Sequence, residues 1–130
     1  MLGALHKKNL ISYQHVFDAE CLWWFGRLIN NSDMHLGNLS FAIEGDVFRL
    51  LPVYDMCSMG FAPKSGREVL PYRFVPPEIK GINISADIIG LIQDWARNFW
   101  ERVASDARIS DEFKEFIEHA NLINLAQPNS

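Results

Sequence analysis

Asp33-Met34-His35-Leu36-Gly37-Asn38 sets a carboxylate and an amide five positions apart, with an imidazole between them. Farther along, Val53-Tyr54-Asp55-Met56 supplies a second carboxylate. Such a set suits phosphoryl transfer, which asks little covalent chemistry of a protein and much positioning. One carboxylate can accept a hydroxyl proton, while an amide oxygen and another carboxylate hold Mg²⁺ against phosphate oxygens.

The flanking pattern says how these groups are brought together. From about Gln14 to Ile29, Phe17, Cys21, Trp24, Phe25 and Leu28 recur at helical spacing on one face. Val16 and Trp23 widen that face, which predicts a helix buried over much of its circumference and reads as core, not as a cofactor box. Asn30-Asn31-Ser32-Asp33 breaks the helix, because short polar side chains bond nearby backbone and favour caps and turns. Asn38 to Ile43 alternates as a strand does, Glu44-Gly45-Asp46 turns, and Val47 to Leu51 reads as the return strand, ended by Pro52. A hairpin brings the chain back to its starting level, so Asp55 is expected near Asn38.

Beyond the hairpin, the stretch from Cys57 to about Asn83 carries Pro63, Pro71, Pro76 and Pro77 with Gly60, Gly66 and Gly81. It reads as a long irregular loop, and such loops in compact domains are usually functional or mobile. The final third is helical. Ser85 caps a helix with Ile88, Ile92, Trp95, Phe99 and Val103 on one face, and Ser110 caps another with Phe113, Phe116, Ile117 and Ala120. Asp111 and Glu112 suit the first turn of the latter. The Gln127-Pro128-Asn129-Ser130 tail is expected to fray.

Composition bounds the setting. The 130 residues suit a single domain, 1–130, and 48% apolar with 22% charged residues is ordinary for a globular chain. A net charge of −4 and no cluster of Lys and Arg argue against direct nucleic-acid binding. His6-Lys7-Lys8 reads as a solvated terminus. Cys21 and Cys57 lack metal-site or redox spacing and read as reduced, partly buried thiols, which fits a cytoplasmic protein. Neither a signal peptide nor a membrane span is predicted.

Protein kinases space their catalytic base and metal-binding Asn as D-x-x-x-x-N, and Asp33 to Asn38 matches that spacing. Taken alone the match is weak. The order is more specific: aromatic helix, D-x-x-x-x-N, hairpin, Asp, then a Pro/Gly-rich loop. Ser32-Asp33-Met34-His35-Leu36-Gly37-Asn38-Leu39-Ser40-Phe41 and Leu51-Pro52-Val53-Tyr54-Asp55-Met56 resemble the S/T-D-x-H-x-x-N-x-S and P-x-Y-D signatures of HipA-like kinases. These are serine/threonine kinases of bacterial toxin–antitoxin systems. The close match spans about Leu28 to Pro63.

The resemblance implies a mainly α fold, a helical C-terminal kinase lobe with one small β-hairpin after the catalytic loop. It implies Asp33 as catalytic base, Asn38 and Asp55 as the Mg²⁺ and nucleotide ligands, and His35 as support for the loop. The structural alternatives are a cap or turn residue for Asp33, a histidine bonded to loop backbone for His35, a turn amide for Asn38 and a turn acid for Asp55. A kinase also needs a glycine-rich loop and a strand Lys over the phosphates. Only Gly3 and Gly26 precede Asp33, and Lys7 and Lys8 lie in no strand-like context. The expectation is therefore the last third of a longer kinase, without the N-terminal nucleotide-gripping lobe and inactive as this chain. ATP and Mg²⁺ are the family's cofactors, and neither is expected to bind tightly here. An antitoxin or a kinase N-terminal lobe is the implied partner, self-association is a further option, and the protein substrate is not readable.

Two other classes fit parts of the pattern. A non-catalytic interaction module could retain the ancestral loop and present aromatic surface to a partner. A metallophosphoesterase could use Asp33-x-His35, but it needs further ligands for two metals, and only His119 lies downstream of His35.

Overall fold

The computed structural model describes residues 2–62 and 84–125. Helix α1 (Leu2–Lys7) leads into α2 (Tyr13–Leu28), followed by the hairpin β1 (Phe41–Glu44) and β2 (Val47–Leu50). Helices α3 (Ala86–Ser105), α4 (Asp111–His119) and α5 (Leu122–Leu125) complete the described residues. The fold is thus mainly helical with one small hairpin, as the periodicity implies. Most of the Pro/Gly-rich stretch and the Gln127–Ser130 tail lie outside the described residues.

The main helices start on serine. The hydroxyls of Ser12, Ser85 and Ser110 accept from the backbone N–H of His15, Ile88 and Phe113, satisfying first-turn donors that no carbonyl can reach. Helices α1, α2 and α4 are followed by asparagine, whereas α3 ends on Asp106. Asn9, Asn30 and Asn121 take left-handed backbone, with φ of 56°, 60° and 55°. After α2 the Asn30 N–H donates to the Arg27 carbonyl and the Asn31 N–H to the Gly26 carbonyl (2.8 Å), a Schellman ending. That ending turns the chain sharply and fixes the backbone of Asn31, two residues before Asp33.

The hairpin pairs Phe41 with Leu50 and Glu44 with Val47. Gly45 is the first of its two linking residues and has φ 62°, the left-handed backbone that tight hairpin turns require. The hairpin is anchored to the segment before α2, where the Phe48 N–H donates to the Leu10 carbonyl (2.7 Å) and Ile11 is buried beside it.

Trp100, Ile29, Ile92, Ile117 and Leu122 are fully buried, joining the end of α2 to α3, α4 and α5. Phe61 enters this core from the chain that follows the hairpin, its ring edge-on to Trp100, Phe113 and Phe116 at 5.7, 6.0 and 5.4 Å. The loop between α2 and Phe61 is therefore a stem clamped at both ends by one aromatic cluster.

Several expectations are corrected. Trp23 is 43% exposed and does not widen the buried face of α2. On α3 the buried residues are Ile92, Gln93, Ala96 and Trp100, whereas Trp95 is 48% exposed. The buried stripe runs instead through Ala96 and Trp100, which are 0% and 1% exposed. His6, Lys7 and Lys8 are exposed, as a solvated run should be, at the end of α1. Residues Leu36–Asn38 form a 3-10 turn, so the first strand begins at Phe41 and not at Asn38. Cys21 is buried as expected, but Cys57 is exposed.

Candidate active site

The loop after α2 is built from side chains that answer its own backbone. Asn31 Oδ1 accepts from the Asp33 N–H (3.1 Å), Asn38 Oδ1 from the His35 N–H (3.1 Å), and His35 Nδ1 from the Gly37 N–H (3.0 Å). Because a backbone N–H can only donate, the His35 ring accepts at Nδ1, which leaves the proton of the neutral imidazole on Nε2. His35 thus supports the loop, bonded to loop backbone.

The returning chain meets this loop after the hairpin. The Tyr54 hydroxyl donates to the Gly37 carbonyl (2.5 Å), and Asn31 Nδ2 donates to the Asp55 carbonyl (3.2 Å). The Asp55 carbonyl also receives the Cys57 N–H (2.9 Å). Asp55 itself has φ 54°, a conformation costly for a residue with a Cβ and one that needs surroundings to impose it. Beyond it the Gly60 N–H donates to the Asn30 carbonyl (2.9 Å). A Cβ on Gly60 would collide with the Asn30 side chain, so glycine permits this close approach.

His35, Asn38 and Asp55 line one cavity of about 260 Å³, walled by Trp23, Trp24, Met34, Leu39, Val53 and Met56. The convergence expected of two carboxylates, an amide and an imidazole is met in part: His35, Asn38 and Asp55 share this mouth. Asp33 is exposed and stands outside the cavity lining. His119 does not join them; it ends α4 with its Nδ1 on the Glu115 carbonyl (2.7 Å). Among the described residues no three His, Cys, Asp or Glu side chains are grouped to hold a metal by themselves.

The donors at the mouth are an amide oxygen and a carboxylate, the hard oxygen set that Mg²⁺ takes. Mg²⁺ is usually held by one or two such groups together with substrate phosphates, so the residues present fit it as a nucleotide-borne ion. Neither thiol joins this set. Cys21 faces the opposite side of α2, and burial, with the charges of Asp18 and Glu20, pushes its thiol pKa up.

Comparison with known proteins places a relative beside this geometry. The chain is similar to Toxin YjjJ of Escherichia coli (strain K12). Identity is 41% over 115 residues, covering 88% of this chain and 25% of that protein. The chain therefore spans about a quarter of the length of the curated relative it matches. No family model matches the chain, and no solved structure matches it. A bacterial toxin is thus a relative over most of the chain. No helix among the described residues is long and apolar enough to cross a membrane.

Asn31 and Tyr54 were not singled out from the sequence. Asn31 lies in a run that reads only as a helix breaker, and its partner is 24 positions away. For Tyr54 a signal exists in its place directly before Asp55, but only the fold shows its hydroxyl on Gly37.

Proposed function

We propose that this chain is the catalytic-loop portion of a HipA-like protein serine/threonine kinase of toxin–antitoxin type. The observation that carries the reading is the meeting of Asn38 and Asp55 at one mouth. Their loops are joined there through Tyr54 and Asn31. Similarity to a protein named a toxin supports the bacterial toxin setting, with an antitoxin as partner class.

In this reading the Asp33 carboxylate, exposed beside the mouth, accepts the proton of a substrate hydroxyl. Asn38 and Asp55 would hold Mg²⁺. When bound, Mg²⁺ neutralises charge on the ATP phosphates as the phosphoryl group moves. Asn38 Oδ1 accepts the His35 N–H through one lone pair and keeps another for a ligand. His35 holds the turn between base and amide at fixed spacing. A kinase also holds its nucleotide through a glycine-rich loop and a Lys, so Asn38 and Asp55 by themselves should bind Mg-ATP weakly.

Two experiments test this. Calorimetry with Mg-ATP should detect no tight binding by the chain; micromolar binding abolished by Asp55→Ala would show a working nucleotide site and refute that expectation. Second, the matched 115 residues can replace their counterpart in Toxin YjjJ. The chimera should inhibit growth and transfer phosphate from labelled ATP, and both should vanish with Asp33→Asn or Asp55→Ala. Growth inhibition indifferent to both substitutions would refute catalysis and favour the interaction module.

A further inference from the structure

We infer that Asn31 is a positioning residue that sets Asp33 and Asp55 in register. The consequence for phosphoryl transfer rests on the kinase reading, whereas the geometry does not. Asn31 is only 8% exposed and sits between the two segments that carry those carboxylates. Its Oδ1 accepts from the Asp33 N–H at 3.1 Å, and its Nδ2 donates to the Asp55 carbonyl at 3.2 Å and reaches Met56 Sδ at 3.6 Å. Its own backbone is pinned by the Schellman bond to Gly26. One side chain therefore carries the orientation of α2 into both loops.

The amide chemistry is specific. A planar amide offers an acceptor and a donor on opposite edges, and here each edge serves one loop. Aspartate has the same shape but no donor, and it would set a charge against the Asp55 carbonyl. Serine, with a single hydroxyl one atom closer to its own backbone, could not serve both partners at once. Asp55 has two donors on its carbonyl, and these fix the peptide that follows its left-handed backbone. Removing the Asn31 donor leaves that carbonyl only the Cys57 N–H, so the peptide after Asp55 loses its tie to α2.

Asn31→Asp separates the two arms, because it keeps the acceptor for Asp33 and loses the donor to Asp55. Asn31→Ala removes both. The experiment is nuclear magnetic resonance on the ¹⁵N-labelled chain, reading amide exchange at Asp33, shifts from Asp55 to Cys57, and Mn²⁺ broadening at Asn38 and Asp55. Asn31→Ala should speed Asp33 exchange several-fold and move the Asp55–Cys57 resonances. Asn31→Asp should move those resonances while leaving Asp33 exchange near its original rate. Asn31→Ala should shift the Mn²⁺ midpoint upward by about tenfold, the usual cost of losing a group that orients a ligand, whereas Asn31→Asp is read on exchange and shifts because its added charge itself attracts Mn²⁺.

A residue that merely packs would not divide the two arms in this way. The inference falls if Asn31→Asp leaves Asp55–Cys57 unmoved, or if the wild-type and Asn31→Ala Mn²⁺ midpoints coincide. Should Asn31→Ala fail to fold, Asn31→Asp decides alone. Absence of Mn²⁺ broadening in the wild type would overturn the metal-site reading, while exchange and shifts would still decide whether Asn31 sets the two segments.

Discussion

Trp100→Phe should loosen the whole stem that carries the candidate site. Trp100 is 1% exposed, and its indole N–H donates to the Leu28 carbonyl across 3.4 Å. That carbonyl belongs to the last turn of α2, where carbonyls have no partner within the helix. Its N–H donor gone, a buried carbonyl loses its bond, at about 1–3 kcal/mol. The smaller ring also leaves a void on the order of 40 Å³, which at about 24 cal/mol per Å³ adds about 1 kcal/mol if the site does not collapse. The bond is long and so sits at the weak end, giving about 2–3 kcal/mol in total. Urea unfolding followed by far-ultraviolet circular dichroism measures this directly. Trp95→Phe on the exposed face of the same helix is the control and should change stability by no more than about 0.5 kcal/mol. A Trp100→Phe loss below about 1 kcal/mol, or one equal to that of Trp95→Phe, would refute the clamp.

Four further outcomes follow from the same geometry. Tyr54→Phe removes the donor to Gly37 and, since the pair is exposed, should cost only about 0.5–1 kcal/mol in urea melts while shifting the Gly37 and Asn38 amide resonances. Exposed Cys57 should react with a disulfide reagent in native buffer, whereas Cys21, buried with its thiol pKa raised, should react only after unfolding. Arg108 holds the Asp106 carboxyl well below the usual carboxylate range, so the pair stabilises above the unfolded-state value of about 4 and that contribution is lost as pH falls below it. Asp106→Asn should accordingly flatten the acid limb of urea midpoint against pH at low salt, and added salt should erase the difference because the pair is solvent-exposed. Asp55→Gly should be more stable than Asp55→Ala by about 1 kcal/mol in the same melts, because only glycine takes φ 54° without a Cβ penalty.

Local signals carried most of the fold. Ser85 and Ser110 were readable as caps because their hydroxyls act within three residues. The hairpin was readable because Gly45 follows an alternating segment. The faces were less so. On α3 a stripe through Trp95 and a stripe through Ala96 and Trp100 both fit helical spacing, and only contact with Phe61 and the end of α2 selects between them. Helix ends on Asn9, Asn30 and Asn121 were hidden because asparagine serves turns, caps and surfaces alike, without glycine's marked preference for left-handed backbone. At the site, motif order foretold that Asn38 and Asp55 share a mouth. It could not foretell the bonds of Asn31 and Tyr54, which depend on how two distant segments dock.

The division of labour across the stem bears on why these residues are present at all. The groups that hold it, Leu28, Ile29, Asn31, Phe61 and Trp100, are buried, while Asp33, His35 and Asp55 are exposed. Exposed carboxylates contribute little to folding, and Asp55 stands in a conformation where glycine would fit with less strain. A turn selected for stability alone has no need of a carboxylate there. Stabilising bonds instead surround Asp55, from Asn31, Cys57 and the neighbouring Tyr54, and they hold in place a residue that does not hold the fold. Asn9, Asn30 and Asn121 take the same backbone where helices end, so the left-handed φ at Asp55 marks a tight turn, and the metal role proposed for Asp55 rests on its place beside Asn38 at the mouth.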